Sequence, residues 1–238
     1  MAYLMLHLAV ANKIFEKYPG IENQNAFLIG SNAPDAIGFR PDKRYEKALP
    51  HFCVGDEGWG YFTNYGEWFD NIIFMTSKLY GSVNKDFLFG YMSHVIADME
   101  NAKRFWNPVR LTNDENKKQT FFNDCYEIDS ILLKLLNSLN SLSNLSKTEN
   151  IDELWARLDN RESNYCLPGI CEADDINYMF DVMKSQIYFD RKPNPEYKTS
   201  IFTLPIALNY IDEIAVKTIE AIKMIEMIKI TGELKNKC

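Results

Sequence analysis

Residues 87–106 read FLFGYMSHVIADMENAKRFW. Apolar side chains at Phe87, Leu88, Tyr91, Met92, Val95, Ile96 and Met99 recur every three or four positions, which predicts a helix rather than a strand. His94 and Asp98 are four residues apart, so a helix stacks them on one face. An imidazole nitrogen and a carboxylate one turn apart make half of a metal site. By spacing alone, a surface Asp–His pair or a core histidine donating to Asp98 is the commoner outcome. The apolar flanks sharpen the question, because a carboxylate buried among them needs a cation or hydrogen-bond donors.

Helical periodicity runs outward from this stretch in both directions. Leu4, Leu8, Ala11 and Phe15 line a helix over residues 3–17, closed by Pro19-Gly20. His7 lies within it. A short helical or turn segment follows from 23 to 30. GSNAPDAIGFRPD, residues 30–42, is a loop by composition and carries Asp35 directly after Pro34. Residues 41–60 are mostly irregular and hold His51 in the phrase PHFC. Helices are expected again over 63–80, 119–139, 151–158, 174–188 and 201–235, with Asn107-Pro108 breaking the pattern after the central helix. Residues 137–150, NSLNSLSNLSKTEN, read as a Ser/Asn-rich linker or surface excursion. Strand alternation, βαβ rhythm and internal repeats are absent. The expected fold is all-α, one multi-helix domain spanning 1–238.

Composition narrows the function. The 238 residues are 46% apolar and 25% charged, enough for a substantial core. A net charge of −7 removes the generic electrostatic reason to expect nucleic acid. Cys53, Cys125, Cys166, Cys171 and Cys238 form no Cys-x-x-Cys, so reduced thiols are a simpler reading than a disulfide framework or zinc–thiolate cluster. The apolar N-terminus lacks a basic leader region and is interrupted by His7, Asn12 and Lys13. No run approaches the roughly 20 apolar residues of a membrane span. A cytoplasmic protein is the expectation.

Chemistry converges on few residues. The chain has three histidines, His7, His51 and His94, each in an apolar setting where an unmatched imidazole is costly. With Asp35 and Asp98 they would form a mixed nitrogen/oxygen site suited to zinc or a similar divalent ion. Periodicity does not show that they meet; three separate core or capping histidines fit it as well. Phosphate-binding glycine loops, a Gly-x-Ser-x-Gly elbow, His-Glu-x-x-His and a His-Asp dipeptide are all missing. Lys103, Arg104, Arg110, Lys117 and Lys118 around Phe105 and Trp106 read as a solvated helix end before a phosphate-binding rim.

Four phrases, MLHLAVANKIF, IGSNAPDAIGFR, PHFC and FLFGYMSHVIADM, occur in an order that resembles the zinc-dependent phospholipase C family, in its intracellular bacterial branch. The likeness covers roughly residues 1–135, with YEID fitting more loosely. It implies an all-α fold around a metal cluster, with one ion on Asp35, His51, His94 and Asp98 and a second on His7 and the shared Asp98. Asp35 is then the general-base candidate as well as a ligand. In secreted relatives a free amino terminus completes the second site, but here six residues precede His7. A third ion would need a histidine where this chain has Arg104, and a His-x-x-x-Glu where it has Asn123 and Glu127. The resemblance thus implies one or two zinc ions, with Arg104 as a candidate phosphate contact. Asp124, Glu127 and Asp129 are candidate extra ligands. The implied reaction is hydrolysis of a phosphate ester, phospholipid being one substrate. The alternatives are a nuclease or nucleotide phosphodiesterase on the same fold, or a non-catalytic helical metal-binding protein.

Overall fold

The computed structural model describes residues 4–42, 46–55, 57–139, 165–185 and 192–235. Among them there is no β-sheet, and the fold is all-α. Helices α1 (Leu4–Lys17) and α2 (Gln24–Gly30) precede a 3-10 helix at Ala33–Phe39. They are followed by α3 (Tyr65–Leu79), α4 (Lys85–Asn101), a π-helical turn at Ala102–Trp106 and α5 (Asn107–Arg110). Then come α6 (Glu115–Leu139), α7 (Ala173–Ser185) and α8 (Leu204–Lys235). Residues 140–150 of the Ser/Asn-rich stretch and the helix expected at 151–158 lie outside the described residues.

Helix α4 is the axis of the molecule. It starts at Asn84, whose side chain accepts from the backbone N–H groups of Asp86 and Phe87. Every residue from Asp86 to Asn101 is then buried, on all faces. A helix buried all round is a core helix, with α1, α2, α3 and α8 packed around it. Its closest neighbour is α2, and two glycines explain how close. A Cβ on Gly90 would lie 2.1 Å from the Phe27 carbonyl oxygen, and one on Gly30 would lie 2.1 Å from that of Phe87. Each glycine yields its side-chain space to the other helix's backbone, which is the use to which a missing Cβ is put.

Three boundaries differ from the sequence expectation for local reasons. Residues 33–39, read as loop, form a 3-10 helix with Pro34 in its first turn, where a missing N–H costs nothing. Asn107-Pro108 does not break the chain direction. The wider π turn, closed by Asn107 N–H on the Ala102 carbonyl, delivers Pro108 to the start of α5. Helix α6 starts four residues early because Asp114 accepts from the N–H groups of Asn116 and Lys117.

Candidate metal centre

Four segments each deliver one part of the site. Helix α1 carries His7, and Asp129 of α6 fixes its first turn by accepting the Met5 N–H at 2.7 Å. A carboxylate at a helix N-terminus also complements the helix dipole. The 3-10 helix carries Asp35. The turn after it carries His51, and three donors hold that turn: Tyr91 Oη on Pro50 O at 2.6 Å, Trp68 Nε1 on His51 O and Asn71 Nδ2 on Phe52 O at 2.8 Å. Phe52 itself sits at φ 53°, a left-handed conformation costly for a bulky side chain and sustained only by such surroundings. Helix α4 supplies His94 and Asp98.

The side chains meet. One ligand atom each from Asp35, His51, His94 and Asp98 lies within 4.8 Å of all the others. His51 Nε2 is 3.4 Å from Asp98 Oδ2 and 3.7 Å from Asp35 Oδ1. His94 Nε2 is 3.8 Å from Asp98 Oδ2. His7 approaches the other oxygen, its Nε2 3.6 Å from Asp98 Oδ1, while its ring stacks on His94 at 3.7 Å between centroids. Ligands at about 2.1 Å from a tetrahedral centre stand about 3.4 Å apart. The observed separations suit groups sharing an ion better than groups hydrogen-bonded to one another.

The imidazoles are oriented for that task. His51 Nδ1 lies 2.7 Å from the Lys47 carbonyl oxygen and His94 Nδ1 lies 2.8 Å from that of Ser31. A carbonyl only accepts, so both Nδ1 atoms carry the proton and, in the neutral rings, both Nε2 atoms present lone pairs. Backbone carbonyls commonly hold metal-bound histidines in this manner. The Nε2 atoms of His51 and His94 are buried and lack a hydrogen-bond partner, as do both ring nitrogens of His7. Such orphans are rare in cores and call for a water or an ion.

Burial sets the charge states. It depresses the His7 pKa to about 4 against the pull of Asp98 and Asp35, and it holds His94 well below its ordinary value with help from His7. Burial alone would raise Asp98, but electrostatic attraction from the positive charge around it and from the surrounding histidines holds its carboxyl well below its ordinary value. Asp35 is likewise held low, the Lys47 ammonium more than offsetting the loss of water. His7 and His94 are thus held neutral beside the ionised Asp35 and Asp98, the protonation states a divalent ion requires.

Access is narrow. The His7, His51, His94 and Asp98 side chains are 0–1% exposed, whereas Asp35 and Lys47 are 22% and 23% exposed at the rim. Asp98 also faces a cavity of about 10 Å³ lined by Trp59, Gly60, Phe62, Trp68 and Ala102, room for about one water. The loop over it is tied down by Trp106 Nε1 on Gly60 O and Asn107 Nδ2 on Phe62 O, each at 2.8 Å.

The remaining candidates are placed elsewhere. Asp124 accepts from Tyr197 Oη and from the N–H groups of Ser200, Ile201 and Phe202, so it fastens the entry to α8 instead of an ion. Glu127 accepts the Asn194 N–H, and Asp129 holds α1. Arg104, the candidate phosphate contact, is paired with Glu100 and Glu213. Sequence reasoning missed Lys47, whose ammonium lies 2.6 Å from Asp35 Oδ1. Its position four residues before His51 was the available signal.

No family model matches the chain, and neither a curated protein nor a solved structure does. The centre is therefore read from its own geometry: Asp35, His51, His94 and Asp98 form a group that could hold a metal ion. No described helix is long and apolar enough to cross a membrane.

Proposed function

We propose that this chain is a metal-dependent phosphoester hydrolase, with zinc held by Asp35, His51, His94 and Asp98. His7 and the second oxygen of Asp98 would share a further ion. One observation carries the reading: buried, unpartnered imidazole nitrogens from three separate segments face two ionised carboxylates. The mixed nitrogen/oxygen donor set suits zinc. The phospholipase C-like phrases supply the reaction class, and phospholipid is the first substrate to try.

When bound, the ion supplies Lewis-acid polarisation of a phosphoryl oxygen and lowers the pKa of adjacent water. Asp35, the partly exposed carboxylate of the set, takes the proton of the attacking water as general base. The Ser31 and Lys47 carbonyls keep both imidazoles in one tautomer. Trp59, Phe62 and Trp68 exclude bulk water from the Asp98 side. The described thiols are free, and Cys171 donates to the Ala33 carbonyl.

The test is hydrolysis of bis(p-nitrophenyl) phosphate by purified protein, abolished by chelator and restored by zinc. Activity that ignores chelator, or survives in His94→Ala and Asp98→Ala, refutes the reading. Comparison of phospholipid with single-stranded nucleic acid then separates phospholipase from nuclease. Near-complete burial of three of the four ligands favours a second reading, a structural ion joining the 3-10 helix, the His51 turn and α4. That reading expects bound zinc and no hydrolysis of any diester.

A further inference from the structure

We propose that Lys47 binds the anionic ligand of this centre, a phosphate-class oxyanion gripped between its ammonium and the ion beside Asp35. The inference rests on the hydrolase reading and adds a binding residue to it. Phosphate recognition favours positive charge near the ion, and Arg104 is engaged by Glu100 and Glu213, which are outside the metal group. Among the described residues, Lys47 is the lysine or arginine paired with a carboxylate of the metal group. It stands at the exposed rim next to Asp35, where a ligand arriving from solvent meets the site.

The lysine is seated, not loose. Its backbone carbonyl orients His51, so the same residue both fixes a ligand and carries the charge. Its stem crosses Gly38 so closely that a Cβ there would lie 2.4 Å from Cε and 3.0 Å from Nζ. The Trp59 ring lies 6.0 Å from the ammonium on another side. Charge balance points the same way. A divalent ion on Asp35 takes over the neutralisation that Lys47 gives that carboxylate at 2.6 Å, which frees the ammonium's charge for an arriving anion.

Isothermal titration of inorganic phosphate into zinc-loaded protein tests this, with zinc content measured on every variant. Lys47→Met should weaken phosphate binding about tenfold or more. Gly38→Ala should do the same by displacing the lysine stem, with all ligands intact. Lys47→Arg should retain most of the affinity, and Arg104→Met all of it. Wild-type phosphate affinity in both Lys47→Met and Gly38→Ala overturns the proposal. Loss of zinc from Lys47→Met overturns it too, by making the residue part of site assembly. Failure of zinc-loaded wild type to bind phosphate ends it as well, whereas the diester assay judges the hydrolase reading by itself.

Discussion

Removing the metal should cost stability that can be estimated from the orphaned nitrogens. In the ion-free chain, His51 Nε2, His94 Nε2 and a ring nitrogen of His7 are buried without partners. An unsatisfied buried polar atom costs about 1–3 kcal/mol, so even the lower figure gives about 3 kcal/mol for the three. For a chain of this length 1 kcal/mol moves Tm by about 2–4 °C, so saturating zinc should raise Tm by about 6–12 °C over the chelated protein. Reaching about 2.7 kcal/mol of linked stabilisation requires free metal near 100 times its Kd. Differential scanning calorimetry with chelator, zinc, manganese and magnesium measures the shift. Elemental analysis of the same samples fixes stoichiometry. The rise should disappear in His94→Ala and Asp98→Ala, which remove the α4 half of the site. A shift below about 2 °C with every ion, or an equal shift in the variants, would refute the metal-centre reasoning.

Three further outcomes are expected. His7 has a folded-state pKa of about 4 against 6.5 unfolded, so between these values only the unfolded chain takes the proton. Metal-free stability should therefore fall below pH 6.5, with His7 contributing about 3 kcal/mol of the loss toward pH 4 and His94 adding to it, visible as lower urea midpoints whose pH dependence His7→Gln reduces. Asp124→Asn should destabilise by about 2–4 kcal/mol through loss of the charge that gathers Ser200, Ile201 and Phe202. Its zinc content should stay at the wild-type level; a drop there would restore Asp124 as a ligand. Gly90→Ala, with its Cβ 2.1 Å from the Phe27 carbonyl, should cost at least about 3 kcal/mol, the upper range of overpacking, in chemical denaturation.

What the chain alone determined is local in origin. Helical periodicity requires only neighbours in sequence, so the all-α class and the extents of α1, α3 and α4 were legible to within a few residues. The shared face of His94 and Asp98 follows from the same geometry, because four residues make about one turn. Convergence is another matter. Whether Asp35 reaches Asp98 depends on how closely α2 approaches α4 at the Gly30–Gly90 crossing, and His7 and His51 are brought in by Asp129 and by the donors from α3 and α4 that hold the His51 turn. The fate of the charged candidates is equally tertiary. Asp124 became a backbone anchor through partners 73 to 78 positions away, and Arg104 gained Glu213 from 109 positions away beside its local partner Glu100. Lys47 gained its place because the His51 turn folds it back onto Asp35. Local pattern selects which groups are able to bind an ion; packing over long sequence separations selects which of them point at the same place.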